Sequence, residues 1–143
     1  MPIQIQGVAH PTPPSIRSHP ADLTAAEIES TNLSGRPLLN EHIEHARIGT
    51  CLASWPGRDG SLRILANVED ESMASDIKSG KMRGLSLGTD LVGNENGEVL
   101  FRGQRELSVC EEGRRSGTWI DHINGKQVHR FQRASSKQHP PCH

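Results

Sequence analysis

The sequence contains no tyrosine, two phenylalanines and two tryptophans, and hydrophobic residues make up 33% of its 143 positions. A chain of this length has one domain as its natural prior and, when compact, buries about 68% of its unfolded surface. So few large apolar side chains therefore predict one modest core with polar tails. An excess of charge is also missing. The net charge is −1, which gives no reason to expect a nucleic-acid partner. The eight histidines would make the chain cationic below about pH 6. The three cysteines, Cys51, Cys110 and Cys142, are odd in number and irregularly spaced, which argues against a disulfide framework and fits a reducing compartment. No stretch approaches the ~20 apolar residues of a membrane span. The N-terminus lacks the basic-then-apolar pattern of a signal peptide, and nothing repeats internally.

What the sequence does have is one stretch around which the rest is arranged, Met82-Arg-Gly-Leu-Ser-Leu-Gly-Thr89. In a strand, Leu85 and Leu87 point to one face and Ser86 to the other. Gly84 and Gly88 remove side chains on either side of Ser86, so another backbone or a substrate can approach closely. That suits a nucleophile held on a rigid strand. Taken alone, the stretch is better explained as a half-buried strand with an incidental serine.

Along the chain, Pro2 to His10 alternates Ile3 and Ile5 and then bends at Gly7, a short strand. His10 to Pro20 is proline-rich loop. Thr24-Ala-Ala-Glu27 is a capping box, which predicts a helix from Ala25 to about Asn32. Leu38 to His42 reads as extended, Ala46 to Trp55 and Ser61 to Val68 as strands, and Ser72 to Ser79 as a helix ended by Gly80. After the Ser86 strand, Gly93 to Gly97 turns into Val99 to Phe101, and Glu106 to Glu111 forms a further strand. Leu107 and Val109 share one face of it, Glu106 and Ser108 the other. Thr118 to Ile123 and Lys126 to Phe131 flank Asn124-Gly125, the strongest short hairpin signal in the chain. From Arg133 onward the tail is polar and expected to be disordered. Many short strands and two short helices predict a mostly β (α+β) architecture, an antiparallel barrel or sandwich with helical insertions.

Three groups of residues have chemical potential. His42 and His45 form an H-x-x-H pair that would need Cys51 or Cys110 to complete a zinc site. Structural zinc sites usually show two tight ligand pairs, and no second pair occurs, so no metal is expected. Arg114 and Arg115, between glycines, are a solvated charge pair, an anion nest or an oxyanion site. Glu106 is a solvated strand residue, a partner for Arg102 or Arg105, or part of a site. Combined, His42, Ser86 and Glu106 supply a base, a nucleophile and the carboxylate that orients the base, from three segments that sheet pairing could unite.

The same residues resemble those of the herpesvirus assemblins and the prohead proteases of tailed phages. Leu38-Leu-Asn-Glu-His42 followed by Ile48-Gly49 looks like the block around the family's catalytic histidine, and the spacing to the glycine selects His42 over His45. Gly84-Leu-Ser-Leu-Gly88 looks like the nucleophile block, with Ser86 the nucleophile. Leu107 to Thr118 resembles the assemblin block ending in Gly-Arg-Arg-x-Gly-Thr, whose arginine pair builds the oxyanion site, a role that passes to Arg114 and Arg115. Assemblins use a second histidine as the third member where this chain has Glu106. Glu106-Leu-Ser-Val109 instead matches the phage-type strand. Assemblins also place aspartates after the catalytic histidine, where Ile43-Glu44 stand here.

The resemblance implies an assemblin-like β-barrel protease domain over residues 1–132, with 133–143 as tail. The implied activity is that of a serine endopeptidase cleaving scaffold or capsid precursor during capsid maturation, without a cofactor. The alternative is a non-catalytic scaffold- or capsid-binding module that keeps the barrel. The implied location is the interior of the assembling capsid, in the host nucleus if herpesvirus-like and the host cytoplasm if phage-like. Partners are the scaffold or capsid precursor, with neither nucleic acid nor membrane. Assemblins dimerise through helices that follow the arginine loop. A hairpin and tail follow it here, which predicts a monomer or weak homodimer. Phe131-Gln-Arg-Ala-Ser135 resembles an assemblin cleavage signal, making Ala134–Ser135 a candidate self-cleavage bond or else an ordinary polar tail.

Overall fold

The computed structural model describes residues 2–13, 19–113 and 115–128. Arg114, the Phe131–Ser135 signal and the 133–143 tail lie outside the described residues. Among the described residues, eight strands and two short helices follow one another in the order β1 (Ile3–His10), α1 (Ala25–Ser30), β2 (Pro37–Asn40), β3 (Ile43–Pro56), β4 (Leu62–Val68), α2 (Glu71–Ser79), β5 (Gly84–Gly93), β6 (Val99–Cys110), β7 (Ile120–Ile123) and β8 (Lys126–Gln127). The strands form one sheet in the order β5-β6-β2-β3-β4-β1-β7-β8.

Alternation sets the inner face. β1 buries Ile3 and Ile5, and β4 buries Leu62, Ile64, Ala66 and Val68 while the residues between them are half-buried. These side chains join Leu38, Leu85, Leu107, Val109 and Ile120 in one core. Each fully buried leucine or isoleucine is worth about 1.5–3 kcal/mol over exposure. The sheet curls until its edges meet. Gly84 of β5 bridges Trp119, just before β7, in antiparallel fashion, and the Val8 N–H of β1 donates to the Trp119 carbonyl at 2.9 Å. Gly7 makes this closure possible, because a Cβ there would stand 2.2 Å from that carbonyl oxygen. All neighbouring strands run antiparallel except β2 and β6, which are parallel.

The helices cap the barrel by local means. In α1, Glu27 N–H donates to Thr24 Oγ1 and Thr24 N–H to Glu27 Oε1, the expected box. α2 begins one residue before Ser72, because Asp70 caps it by accepting from Met73 N–H, and ends at Gly80 with φ 89°. It buries Met73, Ala74 and Ile77. Asn124 and Gly125, at φ 51° and 80°, make the two-residue hairpin turn.

Two expectations change. Val99–Phe101 and Glu106–Cys110 belong to one twelve-residue strand, β6, which ends one residue before Glu111. Gly103 pairs with Asp90 within the ladder, so this glycine does not interrupt the strand. Leu38–His42 is not extended throughout. β2 stops at Asn40, and Glu41 and His42 take φ of 49° and 64°. β3 then starts at Ile43, three residues earlier than its apolar pattern suggested.

Candidate active site

The register of the sheet assembles the site. Across β5 and β6, Ser86 faces Ser108 and Gly88 faces Glu106. On the other side of β6, the parallel β2 places Leu39 beside Ser108 and Asn40 beside Val109. The chain then enters the left-handed turn, which costs on the order of 1–3 kcal/mol per strained residue unless neighbours hold it. Two bonds to β6 do so: Glu41 N–H to the Val109 carbonyl at 3.1 Å and His42 N–H to Ser108 Oγ at 2.9 Å.

The turn lays the His42 ring between Ser86 and Glu106. Nδ1 is 2.6 Å from Glu106 Oε1, and Nε2 is 2.9 Å from Ser86 Oγ. A carboxylate can only accept, so Nδ1 carries the ring proton and Nε2 is left to accept from the serine hydroxyl. Glu106 is 2% exposed, and a buried carboxylate must be paired and hydrogen-bonded. Its Oε2 accepts from Ser108 Oγ at 2.9 Å, and Arg105 lies 3.9 Å from Oε1. Gly88 is the residue that admits this carboxylate: a Cβ there would stand 1.8 Å from Oε1. The two glycines beside Ser86 thus have separate jobs. Gly88 makes room for Glu106, while a Cβ on Gly84 would meet the Gly113 nitrogen at 2.3 Å. The arrangement can move a proton from Ser86 to His42 and stabilise the resulting imidazolium.

Ser86, Gly88 and Thr89 of β5, His42 and Arg105 line a cavity of about 700 Å³ whose other walls include His10, His19, Asp22 and Arg115. The N-terminal segment is fixed by His10. Leu23 N–H donates to its Nε2 at 3.0 Å, so Nδ1 holds the proton and donates to the Pro11 carbonyl at 2.7 Å. Burial lowers the His10 pKa below its usual value, the Pro11 bond opposes this, and Arg115 adds to the lowering. The ring is held neutral.

Arg115 borders the cavity but its guanidinium turns to the N-terminal segment, with Nε on Asp22 Oδ1 at 3.2 Å and a terminal nitrogen on the Ala21 carbonyl at 2.9 Å. Its own carbonyl accepts from Thr118 Oγ1 at 2.7 Å. Beneath the same loop, buried Arg83 donates to Glu112 and to the Gly80 carbonyl and stacks 6.0 Å from the Trp119 ring. A Cβ on Gly113 would press on the Leu85 carbonyl at 2.5 Å. Gly113, at the head of the arginine loop, is therefore packed directly on the Ser86 strand.

His45 is exposed on β3, away from this cavity's lining. Among the described residues no group of three or more His, Cys, Asp or Glu is placed to hold a metal ion. The Cys51 thiol is pushed up to about 12 by burial and then by the Glu106 charge, which keeps it protonated and inert as a nucleophile. Sequence reasoning passed over Ser108, Asp22 and His10. Ser108 was signalled by sharing a strand face with Glu106 two residues away. His10 ends β1, where only its strand role was read, and Asp22 lies in the segment between β1 and α1, which has no periodic signal.

No family model matches the chain, and no curated protein matches it in sequence. Solved structures do resemble it. A Kaposi's sarcoma-associated herpesvirus protease in complex with a hexapeptide phosphonate inhibitor matches with a TM-score of 0.65 at 15% identity, covering 86% of this chain and 65% of that one. The varicella-zoster virus protease matches with a TM-score of 0.59 at 12% identity, over 87% of this chain and 64% of that one. The Kaposi's sarcoma-associated herpesvirus protease bound to a dimer disruptor matches with a TM-score of 0.56 at 16% identity, over 88% and 77%. The chain thus spans just under two thirds of the first two proteins. At such identities the likeness shows the fold, which is mostly β and of the assemblin protease type.

Proposed function

We propose that the chain is a serine endopeptidase that cleaves scaffold or capsid precursor during capsid maturation. The observation that carries the reading is the unbroken hydrogen-bonded line from Ser86 Oγ through the His42 ring to Glu106, opening on the cavity. Ser86 Oγ attacks the scissile carbonyl carbon as its proton passes to His42 Nε2. Glu106 holds the ring and its developing charge. His42 then returns the proton to the leaving amine, and water repeats the sequence on the acyl-enzyme. Stabilisation of the oxyanion falls to the Arg114–Arg115 loop by the sequence resemblance. The contacts of Arg115 with Asp22 and Ala21 suit a residue that fixes that loop. The viral substrate and a location inside the assembling capsid rest on the three sequence blocks and on the fold shared with herpesvirus proteases. Weak homodimerisation rests on the same likeness, one neighbour being bound to a dimer disruptor.

A serine-directed phosphonate tests the chemistry. Wild type is expected to gain the adduct mass and Ser86→Ala to stay unlabelled. Equal behaviour of the two would replace the protease with a binding module that keeps the barrel. Intact mass after long incubation tests Ala134–Ser135: active enzyme should lose the nine residues from Ser135 to His143, and Ser86→Ala should keep them.

A further inference from the structure

We propose that Ser108 is a positioning residue that locks His42 and Glu106 into one unit. The proposal rests on the reading of Ser86, His42 and Glu106 given above. Ser108 is fully buried, and its backbone is paired on both edges, with Ser86 across β5 and Leu39 across β2. Its side chain therefore issues from backbone held on both sides.

The hydroxyl has one proton, and the bonding pattern assigns it. Glu106 Oε2, 2.9 Å away, can only accept, so Ser108 donates to it. The oxygen of the same hydroxyl accepts the His42 backbone N–H at 2.9 Å. His42 Nδ1–H, aimed at Glu106 Oε1, also passes 3.2 Å from this oxygen. One atom thus ties the strained backbone of His42, at φ 64°, to the carboxylate that its ring must face. Gly88 closes the other side, leaving no space beside Oε1. The two carboxylate oxygens are divided between ring and hydroxyl, so Glu106 cannot rotate without breaking one bond.

The hydroxyl also sets the charge balance. Its proton faces Oε2 and offsets part of the carboxylate charge that would otherwise favour a charged His42 ring. It therefore favours the deprotonated pair, which is the active one.

Ser108→Ala is expected to lower kcat on a peptide substrate on the order of 10²-fold, the usual consequence of a misplaced catalytic group, with KM little changed. The acid limb of its pH–rate profile should move to higher pH. Ser108→Cys, similar in size but a poor donor, should show the same two changes to a smaller degree, and it keeps the test open should Ser108→Ala fail to fold. NMR titration of the His42 ring, which needs no turnover, should move in the same direction. Wild-type kcat and acid limb in both variants would overturn the proposal. So would a fall in kcat with the acid limb and the ring titration unmoved, because general structural damage does that. Phosphonate labelling of wild type keeps the two questions apart: its failure overturns the protease reading, whereas its success with unaffected Ser108 variants overturns this one.

Discussion

The two ends of the β5–β6 hairpin share one ladder yet differ in everything else. At the near end, residues 84–88 and 106–110 are all buried. At the far end Leu91, Val92, Leu100 and Phe101 are 44%, 52%, 65% and 61% exposed. The polar side chains Ser86, Glu106 and Ser108 are therefore inside, while these four far-end apolar side chains are out in water. The reason is cover. β2 reaches along β6 as far as residues 107–109, and Trp119 bridges β5 at Gly84. The near end has neighbours on both outer edges, whereas β2 and Trp119 stop short of the far end. Buried polar groups persist only where partners satisfy them, and the near end supplies one for each of these three. The difference teaches that the site is made by double cover of a strand pair, not by the strand sequence itself.

The largest effect should come from removing the charge at the covered end. Glu106→Gln keeps the size and the place between Gly88 and Ser108. A neutral amide no longer stabilises the imidazolium, and it can offer its NH₂ to Nδ1 and so favour the wrong tautomer. In a serine protease the equivalent loss lowers kcat about 10⁴-fold. Single-turnover cleavage by Glu106→Gln measures this, and a loss of less than about tenfold would show that His42 acts without the carboxylate.

Glycines at the two ends give the next contrast. Gly88→Ala puts a methyl where Glu106 Oε1 lies. The carboxylate must swing away from His42, which should lower kcat on the order of 10²-fold and cost about 1–3 kcal/mol of stability as overpacking. Gly97 in the far turn has nothing within 4 Å but sits at φ +81°. Gly97→Ala should cost only about 1–2 kcal/mol through backbone strain, with kcat unchanged. Equal kinetic losses from the two would collapse the distinction between room for a side chain and freedom of φ.

The far end was easier to read in the sequence than the near one. Gly93-Asn-Glu-Asn-Gly97 marks a turn by its own chemistry, as Asn124-Gly125 and the Thr24 box do, because each rests on local geometry. Ser86, His42 and Glu106 were legible as residue types and, through the resemblance, as candidate positions. Their contact was not, since it depends on a parallel pairing of β2 with β6 that no alternation announces. The left-handed turn at Glu41 and His42 was hidden because neither residue is a glycine. Leu85 and Leu87 were expected on one face with Ser86 on the other, yet all three are buried. A strand covered on both faces hides which side faces solvent. His10 ends β1 opposite Leu62 and Asp22 lies between β1 and α1, and only the tertiary fold brings the two to one cavity.

A smaller effect should appear with pH, at His10 in the wall of the cavity that the covered end also lines. Burial lowers the His10 pKa, so between the folded value and the unfolded value of about 6.5 the unfolded chain binds the extra proton. Stability therefore falls as pH drops below about 6.5, at up to about 1.4 kcal/mol per pH unit until the folded pKa is reached. Protonation would also place a donor at Nε2, opposite the Leu23 N–H. His10→Gln keeps an acceptor there but cannot titrate. Urea midpoints at pH 7.0, 6.0 and 5.0 should diverge between wild type and His10→Gln, the wild type losing more on acidification. Parallel lines would mean that His10 is not the group responsible.

The smallest effects belong to the far end, and they bear hardest on the comparison. Leu100 and Phe101 are more than half exposed on β6, so little transfer energy is lost when they are truncated. Surface substitutions of this kind usually stay within about 0.5 kcal/mol. Leu100→Ser and Phe101→Ser, singly and together, should leave the urea midpoint, kcat and phosphonate labelling close to wild type. Their register supports this: Phe101 pairs with Val92 and Arg102 with Leu91, well along the ladder from the Gly88–Glu106 pair. Arg102 ties this end to α1 through Glu27 at 3.1 Å, and both serine variants leave that pair intact. A tenfold fall in kcat in the double variant, with the urea midpoint unchanged, would mean that the exposed end acts on substrate, and the hairpin could then no longer be divided into a working half and a passive one.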